Sequence, residues 1–324
     1  MTNSVTIDFD GYPKSPAIDI IIGNTYYYTD DLTNEQVEIT LTVNPPNLSG
    51  YEKLEHKPKD PKVKIKGIQY STIPQNGFPP DLSRYESVTV YCWGGDSNYK
   101  PIVVRLGSGD DYYKGAVAED SWNPAGIKSS GLLNLLENES CRCHSAHILD
   151  ISKKGNESYD CSACKQQNAI TLHSETVKDY KRVAHTPGGF VGRLKNGQDS
   201  INSIPITRDI SDVYVYWYPK DGGKSGPLLI YFSLDSAWIK RVSKASNEWT
   251  PTVEDELDND DSSKILKLLK KIKGNSEGPS AGDIAGYVAE GLTSGGVGTE
   301  AYNFFFNPNR SATRQIIRLL TMLI

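Results

Sequence analysis

One internal repeat constrains the fold of this 324-residue chain more than any other sequence feature. Residues 88–93 (VTVYCW) reappear as 213–218 (VYVYWY), and residues 51–58 reappear as 180–187, with a histidine and a proline at matching places. The other matches, in chain order, are 6–8 with 148–150, 39–41 with 170–172, 101–104 with 227–230, 112–114 with 238–240 and 122–124 with 249–251. Because the order is kept and the offset drifts slowly, the sequence predicts a tandem duplication.

Each repeat carries a pattern of β-strands followed by one helix. Apolar and polar residues alternate over 5–9 and 37–43, which is typical of strands with one buried face. Short segments rich in Leu and Ile, 132–136 and 265–269, end the two repeats and predict helices. The predicted fold class is mainly β: two tandem antiparallel β-sandwich or barrel-like domains, each ending in one α-helix, plus a Gly-rich C-terminal tail.

The repeat also predicts where the domains begin and end. Unit one is expected over 5–143, unit two, its duplicate, over 146–273, and the tail over 274–324. Ser262 and Ser263 are the expected N-caps of the second helix, since acidic residues precede them and lysines follow, which suits the helix dipole.

The two ends of the chain bear on its location. Residues 284–306 are Gly-rich and about as long as a membrane span, but Glu290 and Glu300 interrupt them. Residues 311–324 predict a short basic amphipathic helix, which can lie on a membrane surface or dock on protein. We expect weak membrane association through 284–324, and the sequence leaves open whether 284–306 spans a membrane. The N-terminal residues show no signal-peptide pattern.

Four of the five cysteines cluster in the sequence where the repeats meet: Cys141, Cys143, Cys161 and Cys164. The pattern leaves three interpretations open. These residues can form one or two disulfides, they can bind zinc, or they can remain reduced thiols. The Cys-x-Cys spacing of Cys141 and Cys143 is tighter than the usual zinc spacing, so disulfides are favoured and no cofactor is expected. Cys92 lies in a predicted strand and is expected to be a buried, inert thiol.

Histidine and aspartate recur at equivalent places in the two repeats: His56 with His185, and Asp8 with Asp150. No nucleophile or carboxylate recurs beside both histidines, so we expect structural histidines and no catalytic residue. The aspartates are expected in turns or caps. The tyrosines at 26–28 and 112–113 can line a sugar- or peptide-binding face, but alternating strand residues are the favoured interpretation.

Taken together, the repeated words resemble an expanded family of piroplasm-parasite (Theileria-type) proteins, most of them uncharacterised tandem-repeat proteins. The segments 213–217 and 227–238 also look like FAINT domains, the repeat module of that group. The resemblance covers 5–273 and implies a secreted or surface protein that meets the host. Asn47, Asn138, Asn156 and Asn309 open Asn-x-Ser sequons, which are glycosylation candidates if the chain enters a secretory pathway.

These observations favour one function class over two others. The formal net charge of −5 argues against a nucleic-acid partner. The predicted function is a non-enzymatic parasite surface or secreted protein that binds a host or parasite surface protein. The alternative is a soluble intracellular (cytoplasmic) structural or interaction protein. A carbohydrate-active enzyme is the least favoured, because no pair of carboxylates stands out.

Overall fold

The computed structural model describes residues 3–12, 18, 20–22, 25–201, 204, 212–220, 226–233, 237–242, 247–252 and 257–274. It is mainly β with two α-helices, which confirms the predicted fold class. The chain divides into two compact units, Met1–Ala146 and His147–Ile324. The predicted tail features at 284–306 and 311–324, and the sequon at Asn309, lie outside the described residues.

Unit one consists of two sheets and a helix. Its strands are β1 (Ser4–Asp8), β2 (Ile20–Ile22), β3 (Thr25–Thr29), β4 (Gln36–Val43), β5 (Tyr51–Pro58), β6 (Lys64–Tyr70), β7 (Ile73–Pro74), β8 (Val88–Trp93), β9 (Pro101–Leu106), β10 (Asp111–Ala116) and β11 (Ser121–Pro124). Eight of them form one sheet in the order β11-β10-β9-β8-β5-β4-β3-β2, and β1-β6-β7 form a small sheet. The helix α1 (Leu132–His144) follows β11.

The strands of unit one are buried on both faces where the small sheet and the helix cover them. Alternate residues such as Val88 and Val90 pack against Ile7 and Ile65 of the small sheet in one core. The helix α1 contacts β8, β9 and β10. All six residues of β8 are buried as a result, which explains why this strand reads as a nearly continuous apolar run.

Within its described residues, unit two repeats this arrangement with fewer strands. It contains β12 (Ala146–Asp150), β13 (Ile170–Val177), β14 (Tyr180–Pro187), β15 (Phe190–Asn196), β16 (Asp199–Ile201), β17 (Val213–Trp217), β18 (Leu229–Phe232), β19 (Ala237–Arg241), β20 (Trp249–Pro251) and α2 (Ser262–Gly274). The sheets are β13-β14-β17-β18-β19-β20 and β12-β15-β16. The helix α2 packs on Tyr180, Tyr216 and Trp238 through Ile265 and Leu269.

The strand registers correct one of the sequence matches. His56 faces Ile39 across β4 and β5, and His185 faces Leu172 across β13 and β14. Leu172 therefore corresponds to Ile39, whereas the sequence comparison aligned Ile39 with Ile170. Side chains in a strand alternate with period two, so a shift of two residues keeps every side chain on its face and is invisible in the sequence pattern.

Two further details differ from the sequence prediction. The strands β1 and β6 pair in parallel, within a fold predicted as antiparallel. The helix α2 is capped by Asp261, whose carboxylate accepts the N–H groups of Ser263 (3.1 Å) and Lys264 (3.0 Å), and not by the two predicted serines. An aspartate at this place also suits the positive end of the helix dipole.

Candidate functional site

The recurring aspartates, Asp8 and Asp150, accept backbone hydrogen bonds in the turns of the small sheets. The Asp8 carboxylate accepts the N–H groups of Asp10 and Ser71, each at 2.9 Å. The Asp150 carboxylate accepts the N–H groups of Ser152 (3.1 Å) and Gly197 (2.9 Å) in the same way. Each aspartate therefore joins the turn after its own strand to the hairpin of the neighbouring strand, a structural role of the kind predicted.

A tyrosine joins the aspartate and the histidine in each unit, and we call each set of three a trio. In unit one, the Tyr28 hydroxyl accepts the Asp8 N–H at 2.8 Å, and its ring meets His56 edge-on at 6.3 Å. In unit two, the Tyr159 hydroxyl accepts the Asp150 N–H at 2.9 Å and lies 3.2 Å from His185 Nδ1. The sequence comparison missed this tyrosine because it lies in segments that do not align.

The trio histidines are sealed from solvent. Both His56 and His185 are 0% exposed. Burial disfavours the charged imidazolium and lowers the pKa of His56 to about 3 and that of His185 to about 4. Both rings are therefore neutral at physiological pH and cannot reach a substrate, which supports the structural role that the sequence predicted.

A second cluster, within unit two, brings together His147, Cys161 and Cys164. One ligand atom from each lies within 4.8 Å of the others, and the His147 Nδ1 to Cys164 Sγ distance is 3.8 Å. The histidine lies in β12 and the two cysteines lie in the cysteine segment, which we define as residues 151–169. His147 and Cys161 are buried and Cys164 is half-buried.

The protein environment stabilises a thiolate at Cys161. Burial alone raises the pKa of this thiol, but hydrogen bonds to its sulfur from His147 and from the N–H groups of Ile148, Cys164 and Ala163 outweigh burial. The net result is a pKa lowered to about 7. The Ile148 nitrogen lies 3.5 Å from the sulfur. A thiolate that accepts several backbone N–H groups is a stronger nucleophile and metal ligand than an ordinary thiol.

The structure only partly matches the set of predicted cysteines. Two of the four disulfide candidates, Cys141 and Cys164, are disulfide-bonded. Cys143 lies outside the cluster and is half-buried. The sequence places His144 and His147 among the cysteines, but the zinc interpretation named the four cysteines and did not include His147.

The fifth cysteine and the sequons have simple surroundings. The Cys92 thiol is fully buried and donates to the Tyr99 carbonyl oxygen at 3.0 Å, and burial raises its pKa well above the usual value. The side chains of Asn47, Asn138 and Asn156 are exposed, as a glycosylation candidate must be.

Unit one also carries a ridge formed by the exposed Arg84 and the half-buried Tyr85, which we call the Arg84–Tyr85 ridge. The Arg84 guanidinium lies 4.8 Å from the centre of the Tyr85 ring and donates to the Tyr85 hydroxyl at 2.6 Å. That hydroxyl donates to Asp111 at 2.9 Å. Two shallow grooves of about 410 and 210 Å³ flank the ridge, and both residues line both grooves.

Comparison with known proteins neither supports nor contradicts the predicted family, function, partner and location. No family model, curated protein or solved structure matches the chain. Within the described residues, no helix is both long and apolar enough to cross a membrane.

Proposed function

We propose that this chain is a non-enzymatic protein-binding protein of a parasite surface or secreted set, and that the Arg84–Tyr85 ridge is its main contact surface. The ridge is the observation that carries the proposal. Tyr and Arg are the residue types that most often dominate protein–protein binding energy, because they combine a large contact area with hydrogen-bonding groups.

The ridge is ordered before any partner binds. Arg84 stacks on the Tyr85 ring, and the hydroxyl is held by Asp111 on β10. A side chain that is already fixed in one rotamer loses less conformational entropy when a partner covers it. The rigid sheet below therefore supports a preorganised contact.

The charges around the ridge suit a protein partner. Lys57 and Lys64 lie in the flanking grooves together with Glu55, Glu86 and Asp111. A surface that carries both signs of charge can be complementary to a protein partner that also carries both signs, whereas nucleic-acid binding requires a concentrated basic surface. The buried, neutral histidines of the two trios further support a binding role over a catalytic one.

The test is a binding array with matched variants. The full chain, presented as a multimer, is applied to an array of host cell-surface ectodomains beside Arg84→Glu, Tyr85→Ala and Lys114→Glu. We expect at least one ligand, with affinity at least about tenfold weaker for the two ridge variants, or about 1.4 kcal/mol. Lys114 is exposed and outside both grooves, so its variant should bind like the wild type.

Two results would reject the proposal. One is the absence of any ligand on a broad array. The other is a ligand whose affinity is unchanged in both ridge variants, since the contact would then lie elsewhere on the chain.

A second candidate, a soluble intracellular structural or interaction protein, has one observation in its favour. The Cys161 thiol, with its pKa lowered to about 7, is poised to persist as a thiolate in a reducing compartment. Counting alkylated thiols in the native, unreduced protein separates the candidates: a disulfide supports the surface location, and five reduced thiols support the intracellular one.

A further inference from the structure

We propose that the exposed face of α2 binds a sulfated polysaccharide, a linear polymer with closely spaced sulfate groups. We call this surface the α2 lysine face, and its residues are Lys264, Lys267, Lys270, Lys271 and Lys273. The face lies within unit two and does not use the Arg84–Tyr85 ridge of unit one. It adds a second class of ligand to the proposed protein partner, so either proposal can fail without the other.

The packing of α2 fixes which side of the helix meets the solvent. Its apolar residues Ile265, Leu268, Leu269 and Ile272 are buried in the core of unit two. At 3.6 residues per turn, the lysine positions fall on the opposite side of the helix, and all five are exposed. The helix rises about 14 Å from the first lysine to the last. Five positive charges therefore lie on one short surface.

The lysine face is not a requirement of the repeated fold. The helix α1 follows the last strand of unit one, as α2 follows the last strand of unit two, and it carries Glu137, Glu139 and Arg142 but no lysine. The helix α2 carries five lysines and no acidic residue. The whole chain has a formal net charge of −5, so this surface differs in sign from the chain that carries it.

The helix dipole explains only part of the lysine face. The negative end of the dipole favours cations in the last turn, where Lys271 and Lys273 lie. Lys264 and Lys267 lie in the first half of the helix, where the dipole favours acidic residues instead. Helix stability alone therefore does not account for lysines along the whole exposed side, whereas a polyanionic ligand does.

The surroundings of the helix place the strongest positive charge beyond its first turn. Lys178, exposed in the turn between β13 and β14, donates to the Ser263 hydroxyl at 2.8 Å and adds a charge beside the start of α2. Lys264 Nζ lies 3.9 Å from the Asp261 carboxylate, which offsets part of its charge. The lysines from position 267 onward lie about one turn or more beyond this acid.

The chemistry of the face favours a flexible, sulfated polymer. The exposed positions of α2 hold five lysines, one serine and the terminal glycine, so the helix presents no exposed large apolar side chain for insertion into a bilayer. Lysine is a compact charge on a flexible stem, which suits anionic groups whose positions vary along a polymer. Binding to such a face depends on the charge density of the ligand.

The disulfide also favours this ligand class over the other polyanions. Cys141 and Cys164 are disulfide-bonded, and disulfides persist in oxidising, extracellular settings. Sulfated polysaccharides are polyanions of that setting. Anionic lipids concentrate in the cytoplasmic leaflet of membranes, so they are the less suitable partner for an extracellular surface.

The experiment measures binding of the full chain to immobilised heparin. The triple variant Lys267→Glu, Lys270→Glu, Lys271→Glu should bind at least about tenfold more weakly than the wild type, since three attractive charges become repulsive. The triple arginine variant at the same positions keeps the charge and should bind like the wild type. Binding of the wild type should weaken as the salt concentration rises, because salt screens exposed charges.

The matched control makes the same change of net charge in unit one. It carries Lys62→Glu, Lys100→Glu and Lys114→Glu, all at exposed positions, and should lose less than about threefold in affinity. A second measurement needs no variant. Heparin should protect the lysines of α2 in the wild-type chain from acetylation by an amine-reactive reagent, which peptide mass spectrometry detects.

Several outcomes would overturn the proposal. They are a wild-type chain that does not bind heparin, an unchanged affinity in the α2 glutamate variant, an equal loss in the unit-one control, or no protection of the α2 lysines. Competition by hyaluronan, which carries no sulfate, as strong as that by heparin would exclude sulfate recognition. Binding to phosphatidylserine vesicles but not to heparin would assign the face to a membrane. None of these results changes the expected effect of the ridge variants on a protein ligand.

Discussion

Unit one and unit two differ most in the stretch that precedes the first strand they share in the large sheet. Unit one places the hairpin of β2 and β3 there, and unit two places the cysteine segment. Both stretches nevertheless deliver a tyrosine to the same point, Tyr28 in one and Tyr159 in the other. In both units the tyrosine hydroxyl accepts the N–H of the aspartate and the ring contacts the histidine, although the local structure differs.

The difference shows two ways to secure the same edge of the core. In unit one, β3 is held by a ladder of backbone hydrogen bonds to β4. In unit two, an isolated bridge pairs Tyr159 with Ile170, and the Asn156 side chain accepts the Ser174 N–H at 2.6 Å. Small elements with few backbone hydrogen bonds usually depend on a cross-link or a metal for their order.

Of the elements that both units contain, the helices are expected to lose the most stability when a buried side chain is truncated. Leu136 of α1 and Leu269 of α2 are fully buried, so we expect Leu136→Ala and Leu269→Ala each to lower the free energy of unfolding of its own unit by about 2–5 kcal/mol. Amide exchange in peptides covering β8 and β17, followed through a urea series, measures each unit separately. Asn134→Ala and Lys270→Ala, at exposed positions of the same helices, are the controls. If one of the two leucine variants loses less than about 1 kcal/mol, the two helices do not contribute equally to their units.

Acid should destabilise both units through their buried histidines. The folded pKa values, about 3 for His56 and about 4 for His185, lie below the unfolded value of about 6.5. Their contribution is complete above pH 6.5 and is lost as the pH falls towards the folded values, which amounts to about 2 kcal/mol per histidine at pH 5. Urea midpoints at pH 7 and pH 5 measure this loss. If the double variant His56→Leu, His185→Leu loses as much stability between pH 7 and pH 5 as the wild type, the buried histidines are not the cause of the acid sensitivity.

The trio tyrosines should separate the two units. Tyr159→Phe removes the acceptor of the Asp150 N–H and the contact with His185, so we expect a loss of about 1–3 kcal/mol in unit two. Tyr28→Phe removes only the first kind of bond and should cost about 0.5–1.5 kcal/mol in unit one. Amide exchange of β12 and β1 reports each effect. Tyr27→Phe, at a half-buried position, is the control. A larger loss of stability for Tyr28→Phe than for Tyr159→Phe would contradict the expected order of the two units.

The trio histidines should show the smallest effect. Among the described residues, neither ring nitrogen of His56 has a hydrogen-bond partner, so His56→Leu should leave unit one within about 1 kcal/mol of the wild type or stabilise it. His185→Leu removes the hydrogen bond between the Tyr159 hydroxyl and His185 Nδ1 and should cost about 1 kcal/mol. Thermal midpoints at pH 8, where both rings are neutral, test the pair, and a severe loss in His56→Leu would contradict a role for this ring in packing alone.

The sequence predicted the large features of the fold because they depend on local patterns. The repeat matched the segment of β8 with that of β17, and the segment of β9 with that of β18. The parallel pairing of β1 with β6 was missed because the two partners are about 60 residues apart along the chain, and alternation does not encode which strand lies beside which.

The candidate site was only partly predictable for the same reason. The cysteines were visible by composition, but whether Cys143 or His147 joins them depends on how the chain turns after α1. The trio tyrosines lie in a hairpin in one unit and in the cysteine segment in the other, so no alignment could pair Tyr28 with Tyr159. The ridge depends on a contact between Tyr85 and the distant Asp111.

The parallel pairing of β1 has a consequence for synthesis on the ribosome. Ser4 pairs with Lys64, so the first strand leaves the ribosome well before its partner exists. At about 5–20 residues per second, that interval is about 3–12 s. Contacts between distant parts of a chain also slow folding itself, because the intervening segment must first be ordered. The small sheet of unit one is therefore expected to form late, and the first strand is a natural binding segment for a chaperone while it waits.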